Sequence, residues 1–391
     1  MKEGVGPRLA AATVVGRVMR AGAWTQLALR AVTGDLSSLD RKQTEALAFG
    51  AIRRMAVIDR ALSAAANREL NKIDPQVLDV LRVGAFEVLF GRAPAPVAVA
   101  TTVEVAREVS GRSTGFVNAV LRQVLRQGPA GPDLALPRWV EDLLVSAWGR
   151  EETEAFAVAS LQDAPIVVRQ RGASPPRGGR PVEGFEEAFE VEADAVGPLP
   201  VQDPSSIAVG QVVRASPGQL VADLAAAPGG KTLHLLDQIE GKGVVVAVEL
   251  HRRRAQTART RVPGACWVRG DGRRPPLRKG AFDRVLVDAP CTGLGTLRRR
   301  PEIRHRVTAA DVERLAITQR QMVVAGLDLL RPGGKLVYSV CTVTPAETVQ
   351  VVADFDASAP TGLPGRAWGK GWLLGPHLTT SDGMFISVIA A

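Results

Sequence analysis

The sequence predicts an α/β domain with a parallel sheet, preceded by an all-helical domain and a short α+β segment. Apolar residues recur at helical spacing through residues 7–127, whereas strand-like and helix-like stretches alternate from about residue 205 onward. Between these patterns lies Gly128-Pro129-Ala130-Gly131-Pro132, which favours neither helix nor strand. We therefore expect three domains, which span 1–128, 129–204 and 205–391.

The composition indicates a protein of a reducing compartment. A chain of 391 residues exceeds the size at which single cores stop growing, about 250–300 residues, so several domains are expected. No apolar run approaches the ~20 residues that cross a bilayer, and the first residues lack the pattern of a secretory signal. The three cysteines include no CxxC pair, and four scattered histidines do not complete a metal site. We expect a cytoplasmic monomer without a metal.

Positive charge is concentrated in one part of the chain. The net charge is +9, yet Arg252–Arg306 alone carries fifteen arginines and one lysine against four acidic residues. Such a block is typical of a surface that binds a polyanion, RNA or DNA. The alternative is a solvated face in a chain that uses Arg far more often than Lys. Nucleic acid is the favoured partner.

The helices of the N-terminal domain have local start signals. Asp40 is predicted to cap a helix that reaches Ile58. Asp74 is predicted to cap another, because Pro75 follows at the first helical position. Two further helices are predicted, from Pro96 and from Phe116. Short loops between amphipathic helices indicate a compact bundle.

The remaining elements follow from similar patterns. A single helix is predicted from Trp139 to Leu161, followed by a strand at 166–168. Thr308 and Asp311 resemble a capping box at the start of a long helix, which Pro332-Gly333-Gly334 ends. The strands of the parallel sheet are predicted at 219–224, 243–249, 264–269, 282–288, 335–340 and 384–389.

The turn after the first of these strands suggests a cofactor site. Small residues at a helix N-terminus allow close approach of a ligand to the backbone. Glu249 and Asp271 end the next two strands, where carboxylates can bind ribose hydroxyls and an adenine amine. The turn departs from the phosphate-binding G-x-x-x-x-G-K-[ST] pattern at its first position, which disfavours an NTPase. An ordinary tight turn with solvated acids is the alternative. The turn residues are Ala225, Ala226, Ala227, Pro228, Gly229, Gly230 and Lys231.

Two cysteines follow strand ends beside this turn. Cys291 comes three residues after Asp288, which ends one strand, and Cys341 follows the next strand of the predicted β-α-β unit. Because the carboxyl ends of parallel strands meet at one edge of a sheet, we expect these three side chains to lie together. Cys266 stands inside a strand and is expected to be a small buried hydrophobe.

Two thiols and a carboxylate beside a methyl-donor site have a specific chemical use. Carbon 5 of a pyrimidine is a poor nucleophile until a thiolate adds to carbon 6 and forms an enamine. In this hypothesis Asp288 hydrogen-bonds nitrogen 3, and a second thiol assists the release step in which the carbon 5 proton is lost. Arginine-rich surroundings would favour the thiolate, because they lower a thiol pKa from its usual value of about 8.5.

The sequence resembles the RsmB/Sun family of ribosomal RNA 5-methylcytosine methyltransferases along nearly its whole length. The helical region resembles the NusB-like RNA-binding domain of that family, and Gln202-Asp203-Pro204-Ser205-Ser206 resembles the segment before its cofactor turn. The resemblance implies a Rossmann-like S-adenosylmethionine-dependent methyltransferase domain behind a NusB-like bundle. The catalytic motifs that carry it are Ala226-Ala227-Pro228-Gly229-Gly230-Lys231-Thr232, Asp288-Ala289-Pro290-Cys291-Thr292-Gly293, and Tyr338-Ser339-Val340-Cys341-Thr342 with Glu347. The helical motifs are Asp74-Pro75, Leu81-Arg82-Val83-Gly84 and Phe116-Val117-Asn118-Ala119-Val120-Leu121-Arg122.

The same resemblance implies roles for individual residues. Cys341 would be the nucleophile, Cys291 would assist product release, and Asp288 would lie close to the reacting centre. S-adenosylmethionine would sit against residues 225–231, with Glu249 on the ribose and Asp271 near the adenine. The target would be a cytosine of small-subunit (16S) ribosomal RNA. Three positions depart from the family pattern: Ala225, Val340 and His305.

Other functions stay open at this point. Transfer RNA is the alternative substrate, because related enzymes share the catalytic motifs. A non-catalytic RNA-binding assembly factor would need the helical domain and the basic block. It would have no need of Asp288 or the two strand-end thiols.

Overall fold

The computed structural model describes residues 4–129, 136–172 and 174–391, and these form two compact units. The first unit covers the chain up to Arg138 together with Arg299–Arg306. The second covers Trp139–Arg298 and Val307–Ala391. Part of the predicted Gly/Pro boundary, residues 130–132, lies outside the described residues, and the division into three domains stays a prediction.

The first unit is all-helical, as predicted. Apolar faces of its helices pack into one core that includes Ile52, Ile58 and Leu81, all fully buried. The helices are α1 (Val5–Met19), α2 (Thr25–Val32), α3 (Ser38–Arg53), α4 (Met55–Ala66), α5 (Pro75–Phe90), α6 (Ala95–Val109) and α7 (Thr114–Gln127).

Of the two helix caps predicted for this unit, one is confirmed and the other is wrong. The Asp74 side chain accepts hydrogen bonds from the backbone N–H groups of α5, so this predicted cap is confirmed. The prediction for Asp40 is wrong: Ser37 caps α3, and Asp40 lies inside the first turn, where its backbone N–H donates to Ser37. The expected single helix is also interrupted, because Arg54 leaves helical geometry between α3 and α4.

The first unit includes one segment from far along the chain, Arg299–Arg306. The buried Glu302 carboxylate accepts hydrogen bonds from the Thr25 backbone N–H at 3.2 Å and the Thr25 hydroxyl at 2.6 Å. His305 Nε2 lies 2.8 Å from the Ile52 carbonyl oxygen. His305, one of the departures from the family pattern, is therefore held in the helical unit.

The second unit is built on one large sheet with helices packed against it and a small sheet beside it. Its helices are α8 (Arg138–Trp148), α9 (Arg150–Ala159), α10 (Pro204–Val213), α11 (Gly230–Gln238), α12 (Arg252–Arg261), α13 (Ala309–Leu329) and α14 (Val349–Val352). Its strands are β1 (Val167–Arg169), β2 (Arg180–Pro181), β3 (Ala188–Glu190), β4 (Gln219–Asp223), β5 (Gly243–Glu249), β6 (Cys266–Arg269), β7 (Phe282–Asp288), β8 (Leu330–Val340), β9 (Ala357–Ser358), β10 (Arg366–Trp368), β11 (Gly371–Leu374) and β12 (Met384–Ala390).

The sheet topology brings the predicted site elements to one edge. Strands pair in the order β10-β11-β12-β8-β7-β4-β5-β6, with β9 on β12. The central strands β8, β7, β4, β5 and β6 are parallel, whereas β12 runs antiparallel to β8. The turns after β4, β5 and β7 therefore leave the sheet at the same edge, where open α/β sheets bind ligands. The small sheet has the order β1-β3-β2.

Several predicted boundaries need correction. The expected helix from Trp139 to Leu161 is two helices, because Gly149 adopts a positive φ of 85° between α8 and α9. Strands β2, β3, β9, β10 and β11 were not predicted, because each is too short to show an alternating pattern. Residues 332–334, which were expected to end α13, lie inside β8, since the helix ends at Leu329 and the strand begins at Leu330. Cys266 is exposed rather than buried, since β6 is the edge strand.

The capping box of α13 is confirmed, with Thr308 and Asp311 bonding each other's backbone N–H. This helix packs on β7 and β8, and its apolar side includes the buried Met322 and Val323. In the part of the chain that the structure describes, no helix has both the length and the apolar character needed to cross a membrane.

Candidate active site

The turn after β4 is shaped by glycine and by a buried acid. Gly229 precedes α11 with a φ of 103°, a conformation that favours glycine, and a Cβ there would lie 2.9 Å from Val262. Asp223, at the end of β4, accepts a hydrogen bond from the Thr232 hydroxyl at 2.7 Å. Burial raises the pKa of Asp223 to about 6, against the opposing effect of Thr232. The hydrogen bond between Thr232 and this buried carboxyl therefore fixes the start of α11 against the end of β4.

Glu249 joins this turn to the end of β5. One carboxylate oxygen accepts from the Ala227 backbone N–H at 3.3 Å, and the other accepts from the His251 backbone N–H at 2.9 Å. Each oxygen has a second lone pair, so both keep capacity for further donors. Asp271 lies two residues beyond β6, and its carboxylate is bound by the Arg273 guanidinium at 2.7 Å.

Asp288 is the point at which the turn after β4 meets the end of β7. Its Oδ2 lies 2.8 Å from Lys231 Nζ, and its Oδ1 accepts from the Ser339 hydroxyl at 2.8 Å. Both Asp288 and Lys231 are partly exposed. Burial lowers the pKa of Lys231, but the pairing with Asp288 and the charge of Cys341 outweigh it, so the pKa is raised.

The two predicted cysteines lie side by side. Asp288 of β7 pairs with Ser339 of β8, so the chain leaves both strands at the same height and brings Cys291 Sγ to 3.3 Å from Cys341 Sγ. Neither thiol forms a disulfide, and both are partly exposed. The hydrogen bond with Cys341, followed by burial, raises the pKa of the Cys291 thiol well above its usual range. Cys291 therefore holds its proton.

One group of residues beneath the thiols was not assigned a role from the sequence. The buried Glu347 carboxylate bonds the side chains of Thr292 and Thr342, which directly follow the two cysteines. Thr292, Thr342 and Glu347 belong to the motifs that carry the family resemblance, but a threonine after each cysteine and one nearby acid do not indicate from the sequence that the three side chains bond one another. Among the described residues, no cluster of three or more His, Cys, Asp or Glu side chains is placed to hold a metal ion.

Two family models match the chain. The model described as 16S rRNA methyltransferase RsmB/F matches residues 211–389, and the model described as NusB family matches residues 6–126. The first match contains the turn after β4 and both cysteines, and the second contains helices α1 to α7 except for residues at the two ends. The expected fold, a Rossmann-like methyltransferase domain behind a NusB-like helical bundle, is confirmed.

Relatives of known name align with most of the chain. Ribosomal RNA small subunit methyltransferase B of Thermus thermophilus is 35% identical over 367 residues, which cover 92% of this chain and 89% of that protein. The protein of the same name from Xanthomonas campestris pv. campestris is 32% identical over 426 residues, which cover 99% and 97%. The crystal structure of PH0851 has a TM-score of 0.82 at 20% identity, covers 100% of both chains, and is evidence on the fold alone.

Proposed function

This chain belongs to the RsmB/F family of 16S rRNA methyltransferases, and from that premise we propose that it methylates carbon 5 of a cytosine in small-subunit ribosomal RNA. The observation that carries the proposal is the pair of thiols 3.3 Å apart beside Asp288. A methyltransferase that acts on a more nucleophilic atom would not need a thiol to activate its substrate.

S-adenosylmethionine is the proposed methyl donor. The residues that would hold it are those of the turn 225–231, with Glu249 and Asp271 beyond it. They fit such a group because the position of a Cβ at Gly230, the first residue of α11, meets nothing nearer than the Gln202 side chain at 3.7 Å. Glu249 Oε2 lies 3.8 Å from the Arg254 guanidinium, but each carboxylate oxygen accepts one backbone N–H and keeps a second lone pair. When bound, the donor supplies an electrophilic methyl group.

Cys341 is the proposed nucleophile. Its sulfur would form a bond to carbon 6 of the cytosine, and the electron pair of the 5,6 double bond would move to carbon 5, which becomes nucleophilic. The charge of Cys341 is among the influences that raise the pKa of Lys231, so the ammonium is close enough to favour the thiolate. Lys231, rather than one of the arginines expected from the sequence, is therefore the proposed cation that favours the thiolate.

Cys291 is proposed to assist release. After methylation, the carbon 5 proton must be removed and the bond from Cys341 to carbon 6 must break to restore the double bond. Cys291 lies within hydrogen-bond distance of Cys341 and keeps its proton, so it can pass that proton to the departing sulfur. In exchange the Cys291 sulfur takes up the carbon 5 proton, so both thiols are protonated once the double bond is restored. Asp288, anchored by Lys231 and Ser339, is proposed to accept a hydrogen bond from nitrogen 3 when that nitrogen carries a proton in the covalent adduct.

The RNA partner is supported by the surface of α12. Arg252, Arg253, Arg259 and Arg261 are exposed, and within the described residues none of them forms an ion pair. Other arginines of the basic block are occupied: Arg298 pairs with Asp382 at 3.2 Å. The helix also contacts the cofactor turn, since Arg254 Nη2 donates to the Ala227 carbonyl at 2.7 Å. We propose that α12 contacts phosphates of the substrate.

The NusB-like helical unit is proposed as a second RNA contact. The target cytosine would have to leave its stack to reach the thiols, as for other enzymes that act on bases. We also propose that the protein acts in the cytoplasm as a monomer, without a metal. These points extend the family membership and need their own measurements.

Bisulfite sequencing of ribosomal and transfer RNA, from cells with and without this gene, tests the proposal. Loss of one cytosine mark in small-subunit ribosomal RNA is the expected result. Loss of a mark in transfer RNA alone would keep the chemistry and overturn the substrate. If no mark is lost in either RNA, the proposal of a cytosine methyltransferase acting on these RNAs fails.

A further inference from the structure

We propose that Glu347 is a positioning residue that sets the separation of the two thiols. The Glu347 side chain does not face the substrate, because it is fully buried. Its carboxylate instead holds the two loops that carry Cys291 and Cys341. The proposal rests on the proposed function for its catalytic consequence, but the geometric part can be tested without any RNA.

The carboxylate is surrounded by hydrogen-bond donors from three parts of the second unit. Oε1 accepts from the Thr292 backbone N–H at 2.8 Å and from Gln319 Nε2 at 3.1 Å. Oε2 accepts from three hydroxyls, those of Thr292 at 2.6 Å, Thr344 at 2.8 Å and Thr342 at 3.1 Å. An ionised carboxylate only accepts hydrogen bonds, and its two oxygens offer about four lone-pair sites. Thr342, the most distant of the three hydroxyls, can donate to the Thr292 oxygen at 2.7 Å instead, which leaves the carboxylate with the other donors.

Two of these contacts act directly on the thiol-bearing loops. The Thr292 N–H belongs to the peptide bond that joins it to Cys291, so the bond to Glu347 orients the peptide plane next to that thiol. Thr342 directly follows Cys341, and its hydroxyl lies 2.7 Å from the Thr292 hydroxyl. Each hydroxyl has one proton, so Thr342 is linked to the Glu347 carboxylate either directly or through the Thr292 hydroxyl.

Glu347 is itself held in place. Tyr338 of β8 donates from its hydroxyl to the Glu347 carbonyl oxygen at 2.6 Å. Gln319 of α13 bonds the Glu347 carboxylate and also donates to the Pro290 carbonyl at 3.0 Å, just before Cys291. The carboxylate therefore connects α13 and β8 to both thiol-bearing loops. A buried hydrogen-bond network whose members are all satisfied is rigid, so it fixes the positions of these loops.

The test compares Glu347→Gln with the wild-type full-length protein. Glutamine keeps the size of the side chain but places an NH₂ group against donors. We expect kcat to fall by roughly 10- to 100-fold, because small displacements of reacting groups have effects of this size. The KM values for RNA and for S-adenosylmethionine should change by less than about threefold, because Glu347 contacts neither.

A second readout reports the geometry itself. Diamide takes up the two protons and two electrons that Cys291 and Cys341 lose when they form a disulfide. The initial rate of this cross-link, measured by mass spectrometry, should fall at least about tenfold in Glu347→Gln, because the thiols no longer share one fixed approach. Alkylation of the exposed Cys266 in the same samples serves as the internal reference and should not change.

If Glu347→Gln does not fold, Thr342→Ser and Thr342→Val replace it, because they perturb the buried carboxylate less and differ from each other in the hydroxyl. Serine keeps the hydroxyl and should retain the wild-type rates, whereas valine should slow both kcat and cross-linking. A folded Glu347→Gln, or Thr342→Val in its place, with wild-type kcat and cross-linking would overturn the positioning role. If the wild type methylates no RNA, the proposed function fails, and the cross-linking rate still decides whether Glu347 positions the thiols.

Discussion

Lys231 Nζ and Asp288 Oδ2 lie 2.8 Å apart and join the turn after β4 to the end of β7. The pair connects the proposed cofactor site to the thiols, because Asp288 is also bonded to Ser339, two residues before Cys341. Lys231 stays a proposed cofactor contact. Its ammonium has the additional task of orienting the proposed activating carboxylate.

Removing the carboxylate should change the reactivity of the lysine. In wild type the pairing with Asp288 keeps the pKa of Lys231 raised, although burial acts to lower it. In Asp288→Asn the ion pair is lost while the effect of burial remains, so the pKa of Lys231 should fall. A larger fraction of the amine is then uncharged, and it should be acylated faster at pH 8. Quantitative mass spectrometry of acetic anhydride labelling measures this, with the exposed Lys42 as reference.

Methyl transfer should fall by about 100-fold or more in the same variant, if Asp288 assists at nitrogen 3. An unchanged labelling rate at Lys231 would contradict the electrostatic coupling between the two residues. Wild-type activity would remove Asp288 from the mechanism.

The two cysteines should give opposite results when each is replaced by alanine. Cys291→Ala should accumulate a covalent RNA adduct, because Cys341 can still attack while release is impaired. Cys341→Ala should form no adduct. Denaturing gels with labelled RNA and S-adenosylmethionine show the adduct as a shifted band, and adducts formed only by Cys341→Ala would reverse the two roles.

Substitutions on α12 should weaken RNA binding through charge alone. Replacing Arg252, Arg253 and Arg259 with Gln should reduce the slope of log K against log[salt] by about 2–3, because each phosphate contact contributes about 0.7–0.9. Fluorescence anisotropy over a salt series measures the slope. The kcat at saturating RNA should be unchanged.

Two matched controls accompany this prediction. Lys at the same three positions keeps the charge and should restore the slope. Gln at the exposed Arg177 and Arg214, away from the basic block, should change it little. A slope that stays at the wild-type value in the triple variant would exclude α12 as a phosphate contact.

Asp223 should make the stability of the protein depend on pH in one direction. Burial raises its pKa from 3.8 to about 6, so the folded state retains a proton that the unfolded chain loses first. Stability from this group is therefore present below about pH 4 and is lost as the pH rises through 6. Asp223→Asn removes the dependence.

The stability of Asp223→Asn relative to wild type should increase between pH 4 and pH 7.5, on the order of 2–3 kcal/mol for a shift of about two pKa units. Urea unfolding followed by circular dichroism at the two pH values gives the difference. An equal difference at both values would mean that the pKa of this carboxyl is the same in the folded and the unfolded protein.

Features encoded within a few neighbouring residues were predicted well. Asp74 with Pro75 marks the start of α5, and Thr308 with Asp311 forms the box at the start of α13. The strands β4, β5, β7 and β12 were placed within one residue, because each is a buried apolar run between clear turns. Where the local signal was ambiguous, as at Arg54 and Gly149, one long helix was expected and two were found.

Contacts between distant residues were decided only by the tertiary structure. The sequence by itself determined that Asp288, Cys291 and Cys341 follow strand ends, and parallel topology then required a shared edge. It did not determine that Glu347 bonds both thiol-bearing loops, or that Glu302 is buried against Thr25. A buried carboxylate and a solvated one look the same in a sequence, because burial depends on which donors the folded chain brings around it.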